Sequence, residues 1–386
     1  MVTIDPDTAE LTDFTPGVEQ VEPVPVPPRL ALFGLSDVEI TGLLAGWGHK
    51  PYRGKQVLEW LYEKRVQDFA EMTNLPSALR ERLAAETTLD LPQFVRVTGS
   101  ADTTRKFLFR LGDGAFIESV LIPATPGEDG ERASRRTICV SSQVGCAFGC
   151  KFCASGLEGW KRHLRPEEIV GQFLVIERIA QCRIDNIVFM GMGEPMANFA
   201  NVLKAITILN SHWGAEVGAR HITVSTSGLV PQIRQLADQP LQVRLAISLH
   251  GARDEVRQRI MPVNRKYPLA ELRDACLYYQ ERKKQKIGFE YILIQGVNDS
   301  IEDAKALAHW LRNINAKVNL IPYNTVEGLE WVRPAEEQQQ AFWEVLHQRG
   351  VRATLRREKG HDINAACGQL RLRHEKEVDA MTAQAV

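Results

Sequence analysis

From Thr137 onward the chain repeats one alternation: short runs rich in β-branched and aromatic residues, each followed by a longer stretch with helical spacing. The runs are TICVSS, NIVFMG, ITVSTSG, VRLAISLH, FEYILI, KVNLIPY and VRATLR, and PEEIVGQFLVIERIA is typical of what lies between them. Strands separated by that much chain pair in parallel through crossovers, and a parallel sheet needs helices packed over it. The expected fold class is therefore α/β, an open or closed barrel of βα units over 137–373. Active sites in such sheets lie beyond the strand C-termini. The unusual residues fall there: GMGEP after NIVFM, STSG after ITV, SLH after VRLAI and PYN after KVNLI.

Upstream the pattern differs. Residues 29–95 read as a small helical domain: Ser36 with Glu39 fits a capping box in LSDVEITGLLAGWG, and YRGKQVLEWLYEKRV sets Val57, Leu58, Trp60, Leu61 and Val66 largely on one face. The same domain displays Arg53, Lys55, Lys64, Arg65, Arg80 and Arg82, either a solvated helix surface or a nucleic-acid-facing one. KFLFRL and FIESVLIP, joined by GDGA, alternate as in a β-hairpin, so 96–136 reads as a hairpin and loop linker. Residues 1–28 carry six acids, six prolines and no Lys or Arg, the composition of an extended, disordered tail. Residues 374–386 form a second tail. With the acidic tail set aside, 47 basic side chains face 42 acidic ones, a net of +5 that leans mildly toward a polyanionic partner.

A chain of 386 residues, 44% hydrophobic and 25% charged, suits a soluble enzyme. It shows no apolar run of membrane-spanning length and no secretion signal, so the cytoplasm is the expected location and no membrane partner is expected. Cysteines are reduced there, and a cysteine cluster points to a metal site rather than a disulfide framework. Cys146, Cys150 and Cys153 sit together in GCAFGCKFC, in a loop just after the first barrel strand. Zinc would need a fourth ligand, which Cys139 or His163 can offer. An iron–sulfur cluster normally takes four cysteines. Held by three, it keeps one iron open, and an open coordination site is a catalytic feature.

The C-x3-C-x-aromatic-C spacing, with Phe152 as the aromatic, followed by GMGEP at a strand end, resembles the radical S-adenosylmethionine (SAM) enzymes. The likeness runs further. CVSSQVGCAFGCKFCASG, NIVFMGMGEPMAN, HITVSTSGLVP, LAISLHGARDEVRQRIMPVNRKYP, VNLIPYN and GHDINAACGQLR resemble, in order over nearly all of 50–373, the radical-SAM adenine methyltransferases of ribosomal and transfer RNA, the RlmN/Cfr family. GMGEP and STSG resemble the members that methylate carbon 2 of adenine rather than carbon 8.

This resemblance implies a partial (β/α)6-type radical-SAM barrel with a small N-terminal helical accessory domain. It implies one [4Fe-4S] cluster on Cys146, Cys150 and Cys153, and two SAM molecules per turnover. It also implies an rRNA and tRNA substrate, a flavodoxin- or ferredoxin-type electron donor, and a monomer. Carbon 2 of adenine is an electron-poor CH that cannot attack a methyl cation equivalent, which is why a radical route is used. The family pattern places the methyl carrier at Cys367 and the resolving thiol at Cys139, which ends as a disulfide with Cys367. Cys182 and Cys276, on amphipathic helical stretches, are left for core packing. SAM contacts carry over to Gly193, Glu194, Ser225, Ser248, Leu249, His250 and Asn324. By spacing alone Glu194 reads equally as a helix N-cap partner, and Ser248 with His250 as a satisfied polar pair. Glu118 matches the family's proton acceptor, although an inward Glu in a hairpin also reads as a salt-bridge residue.

Overall fold

The computed structural model describes residues 29–99, 104–123, 135–157, 159–324 and 328–356. Cys367, the two tails and the loop 124–134 lie outside the described residues.

The N-terminal unit is helical, as its spacing predicts. Strand β1 (Leu30–Ala31) precedes α1 (Asp37–Gly46), α2 (Tyr52–Leu58) and α3 (Ser77–Glu86), and β2 (Thr87–Thr88) returns parallel to β1. The capping box forms: Glu39 N–H donates to Ser36 Oγ at 3.3 Å, and Ser36 N–H donates to Glu39 Oε2 at 2.8 Å. After Leu58 the helix widens into a π-helical turn over Glu59–Glu63. Val57, Leu58, Leu61 and Val66 are buried together with Ile40, Leu44, Leu79 and Leu83, each such side chain contributing about 1.5–3 kcal/mol. Arg65 pairs with Glu177 at 2.7 Å and Lys204 with Glu39 at 2.7 Å, and the Tyr62 ring stands edge-on between Phe33 and Trp213. These contacts seat the unit against the helices that begin the catalytic region.

Three antiparallel strands follow, β3 (Gln93–Gly99), β4 (Arg105–Arg110) and β5 (Phe116–Pro123). The hairpin expected from KFLFRL and FIESVLIP is β4–β5. It does not stand apart as a linker element, because β5 pairs antiparallel with β6 (Arg136–Cys139), Val120 opposite Cys139. A short hairpin comes next, β7 (Gln143–Gly145) with β8 (Trp160–His163), then α4 (Pro166–Ala180). The alternation read from the sequence continues as β9 (Asn186–Phe189), α5 (Phe199–Asn210), β10 (Ile222–Thr226), α6 (Val230–Asp238), β11 (Arg244–Ser248), α7 (Asp254–Ile260), α8 (Leu269–Lys283), β12 (Ile287–Leu293), α9 (Ile301–Trp310), β13 (Ala316–Pro322), α10 (Glu336–Gln348) and β14 (Ala353–Leu355).

Among the described residues one sheet takes the order β14-β13-β12-β11-β10-β9-β6-β5-β4-β3, parallel from β6 through β14 and antiparallel beyond β6. Side chains alternate across it. Ile138, Ile187, Phe189, Val224, Ile247, Phe289 and Val318 are buried in the core. Val120, Cys139, Val188, Thr223, Glu290, Asn319 and Thr354, from β5 round to β14, line a single cavity of about 1170 Å³. Strands so far apart in the sheet order share one cavity because the sheet curls around it. The fold is an open βα barrel whose wall is extended by an antiparallel meander. No helix of the described residues is long and apolar enough to cross a membrane.

Candidate active site

The three clustered thiols occupy the tip of the β7–β8 hairpin. Gly145 ends β7 with φ +74°, and a Cβ there would stand 2.0 Å from the Gly159 carbonyl oxygen, so only glycine closes this hairpin. Cys146 N–H donates to that carbonyl at 2.9 Å. Lys151 N–H donates to Ile260 O at 2.9 Å, and Trp331 Nε1–H donates to Lys151 O at 2.8 Å, which ties the loop to distant parts of the barrel. Burial pushes the Cys146 thiol up to about 11 and Cys150 higher still, and Cys153 and Glu194 push both further.

Neutral thiols held this way become thiolates only when a positive centre binds them. Among the described residues no three His, Cys, Asp or Glu side chains converge as one metal ion requires. His163 Nδ1 is taken by Gln143 Nε2 at 3.0 Å, and Cys139 lies back in the barrel wall. Three thiols that feel one another's charge without meeting at a point suit a cluster, in which each thiolate serves a different iron.

Beside this loop, GMGEP makes a tight turn. Gly193 has φ +95°, and a Cβ would fall 2.5 Å from the Gln143 side chain. Gln143 Oε1 accepts from Glu194 N–H at 2.8 Å, which fixes the turn. The Glu194 carboxylate is buried, and burial raises its pKa. Its Oε1 accepts from Met196 N–H at 3.0 Å and its Oε2 from Ser227 N–H at 2.7 Å. The N-cap role is therefore real, and the two oxygens still have lone pairs for a cationic group. Ser225 is buried at the end of β10. Just after β13, Asn324 Oδ1 is buried and has no hydrogen-bond partner among the described residues. An orphaned polar atom at the mouth of a barrel is what a polar ligand would satisfy, so the residues here fit SAM.

In SLH, Ser248 is half-buried, Leu249 is buried, and His250 adopts φ +55°. His250 does not pair with Ser248. Its Nδ1 accepts from Ile292 N–H at 3.0 Å, its carbonyl accepts from Asn298 at 2.7 Å, and its ring meets Phe152 edge-on at 4.7 Å. Burial, helped by Arg257, pulls its pKa down to about 3, which leaves a neutral imidazole with its proton on Nε2.

On the meander side, Glu118 is buried with its carboxylate 3.2 Å from the equally buried Lys106 ammonium. The salt-bridge reading of Glu118 is realised, and the residue sits one inward position from Val120, the partner of Cys139. Cys139 is buried in the cavity wall. Cys276 is in the core and Cys182 packs half-buried against it.

Three comparisons bear on what this site serves. The family described as "Radical SAM superfamily" matches residues 140–311, and the "Ribosomal RNA large subunit methyltransferase N-terminal domain" matches 30–89. A crystal structure of a radical SAM methyltransferase from Sphaerobacter thermophilus superposes with a TM-score of 0.83 at 43% identity, covering 88% of this chain and 98% of that one. A protein of Akkermansia muciniphila named "Probable dual-specificity RNA methyltransferase RlmN" is 53% identical over 359 residues, 93% of this chain and 100% of the relative. This chain belongs to the RlmN family. Another RlmN of the same printed name, from Geobacillus thermodenitrificans, is 44% identical over 364 residues, 94% of this chain and 96% of its own. RlmN membership brings the [4Fe-4S] cluster and SAM of the radical-SAM superfamily to this fold.

Two residues of this RlmN chain escaped the sequence reading. Arg257, in DEVRQRIMPVN, is fully buried and donates to Leu249 O at 3.0 Å, to Asn264 Oδ1 at 2.8 Å and to Ser227 O. It thereby straps the STSG and SLH loops together. Its only sequence signal is a basic residue within an apolar helix face. Lys106, the partner of Glu118, was visible as the inward-alternating residue of KFLFRL. The cations of the helical unit are mostly engaged within the fold: Arg53 and Arg80 hold backbone carbonyls, Lys64 pairs with Glu59, Arg65 with Glu177 and Arg82 with Glu86.

Proposed function

We propose that this chain methylates carbon 2 of adenine in 23S rRNA and tRNA, with Cys367 as the methyl carrier and Cys139 as the resolving thiol. Cys146, Cys150 and Cys153 would hold a [4Fe-4S] cluster, which together with SAM would supply a carbon radical able to remove hydrogen from a methyl group. The observation that carries the reading is the position of Cys139. It lies in the wall of the cavity that Asn324 also lines, at the end of β6, the strand that precedes the β7–β8 hairpin bearing the three thiols.

The chain's own residues divide the remaining tasks. Glu194 faces the SAM ammonium, and Gly193 allows the turn that brings it there. Ser225, Ser248, the Leu249 backbone, His250 and Asn324 offer neutral polar contacts, so the site binds a charged cofactor without adding charge of its own. Cys367, methylated by a first SAM, presents the S–CH2 group that bonds to carbon 2. Glu118, held in orientation by Lys106, accepts the proton lost from that carbon. The adduct also gives up one electron, back to the centre that began the radical, which leaves the base joined to Cys367; the Cys139 thiolate then attacks the Cys367 sulfur, the sulfur–carbon bond breaks, and the freed carbon takes a proton to become the methyl group as the Cys139–Cys367 disulfide forms. A flavodoxin- or ferredoxin-type protein supplies electrons to a monomer in the cytoplasm.

RNA from a strain lacking the gene should have lost 2-methyladenosine by mass spectrometry; loss of 8-methyladenosine instead would move the chain to the other branch. Cys139→Ala enzyme isolated from cells should carry RNA covalently attached to the Cys367 peptide and resistant to denaturant. A Cys139→Ala protein that is free of RNA while it still cleaves SAM would end the two-cysteine mechanism.

A further inference from the structure

The strands that carry the site at their C-terminal ends present a different surface at their N-terminal ends. Arg220 lies just before β10, Arg244 opens β11, Lys284 and Lys286 lead into β12, and Lys317 is the second residue of β13. All five side chains are exposed, and all five line the rim or inner wall of the cavity that holds Cys139. None forms an ion pair with a described residue. Lys283, their neighbour, is different: its ammonium donates to the carbonyls of Gln239 and Leu241, so it belongs to the fold. Among the described residues the single carboxylate in the cavity lining, Glu290, sits deeper, bonded by Asn319, and burial raises its pKa. The mouth at this end is therefore strongly positive. In the helical unit, which on composition was the candidate nucleic-acid surface, most of the cations are paired with carbonyls or carboxylates, Lys64 and Arg82 at the surface.

We infer that this basic rim is the phosphate-contacting surface for the RNA strand, and that the target adenine enters the barrel from this side. The inference rests on the RNA methyltransferase reading and names the face that reading uses. Hydrogen-bonded register supports it: Cys139 lies beside Val188, Val188 beside Thr223, and Thr223 beside Arg244. The rim is thus joined to the resolving thiol by one row of strand pairs. A base that leaves its stack and reaches Cys139 brings its own phosphates to this row. The cavity volume is also ample for a single nucleotide. An acidic protein partner is the competing occupant of a basic surface. It is disfavoured because the cluster loop leaves the opposite ends of the strands, and because a concave inner wall admits a thin chain better than a folded surface.

The test uses the cluster-loaded enzyme and a synthetic RNA hairpin with a single-stranded loop, with affinity measured by fluorescence anisotropy across a salt series. Triple neutralisation, Arg244→Gln with Lys286→Gln and Lys317→Gln, should weaken binding at least tenfold at moderate salt. It should also flatten the plot of log Kd against log salt by about 0.7 per lost phosphate contact, roughly two units in all. The charge-preserving triple, Arg244→Lys with Lys286→Arg and Lys317→Arg, should keep the wild-type slope, and iron content confirms that both proteins fold. An unchanged slope and affinity in the neutralised enzyme overturns the inference. So does a variant that binds RNA normally but is reduced poorly by a flavodoxin-type protein, which would assign the rim to the electron donor. Wild-type enzyme that binds RNA but forms no 2-methyladenosine would refute the proposed reaction and leave the rim's role to the binding data.

Discussion

Arg257 offers the most direct test of how the site is held. Among the described residues its hydrogen bonds run to two backbone carbonyls and one amide oxygen, and no carboxylate touches it; Asn264 relays it to Asp254, whose Oδ1 accepts from Asn264 Nδ2 at 2.7 Å. Burial lowers its pKa only to about 10, so it is a cation at neutral pH. In Arg257→Met, three buried acceptors lose their donor, at about 1–3 kcal/mol each. The relief of no longer burying a guanidinium offsets part of that sum, and the expected net loss is about 3–5 kcal/mol, as for other broken buried charge contacts. Arg257→Lys keeps the charge but sends one nitrogen where three divergent donors are needed, so it should fall between. Urea unfolding of the apo proteins measures the loss, and hydrogen exchange locates it: the amides of Ser227 and Leu249, bonded to Glu194 and to Glu290 O, should lose protection before the core strands do. Because these loops carry the proposed SAM contacts, KM for SAM should rise more than kcat falls. If Arg257→Met unfolds at the wild-type midpoint with both amides still protected, the strap does not exist.

Other perturbations read other parts of the site. Ala at any one of Cys146, Cys150 or Cys153 should remove bound iron and SAM cleavage together; a Cys150→Ala protein with a full iron complement refutes the ligand set. Lys106→Met strands a buried carboxylate and should cost about 3–5 kcal/mol, whereas adding Glu118→Leu to it should restore much of the stability while leaving methylation abolished; equal destabilisation of single and double variants would show that the pair is not coupled. His250 is held neutral with its pKa near 3 against 6.5 when exposed. Its contribution to stability is complete above pH 6.5 and is lost as pH falls toward 3. His250→Gln should flatten the acid limb of a stability–pH curve over that window, and an unaltered limb would contradict the burial argument.

What could be read from residues alone was whatever depends on period and local chemistry. Seven β-rich runs became β6 and β9–β14 because alternation and crossover length leave little choice, and the Ser36–Glu39 box formed because its partners are three residues apart. The cluster loop and strand-end motifs were legible for the same reason. Partnerships made across the fold were not. Nothing local says that Lys106 will meet Glu118 from the neighbouring strand, that Arg257 will bridge loops after β10 and β11, or that most cations of 53–82 will find carbonyl or carboxylate partners. Charge counts fix how many cations a segment has, and only packing decides which remain free.

Among the described residues the ten-strand sheet does not close on itself, and an unclosed sheet has two edges, each a row of backbone groups that invites another chain to add a strand. The edges of this one are guarded in different ways. At one end β3 breaks its register between Phe94 and Arg96 with a bulge, which spoils the straight run of donors and acceptors that an incoming strand would need. At the other end β14 is only three residues long and runs directly into the charge of Arg356. An aperture wide enough to admit a polymer can therefore persist at high protein concentration without the molecules zipping together edge to edge.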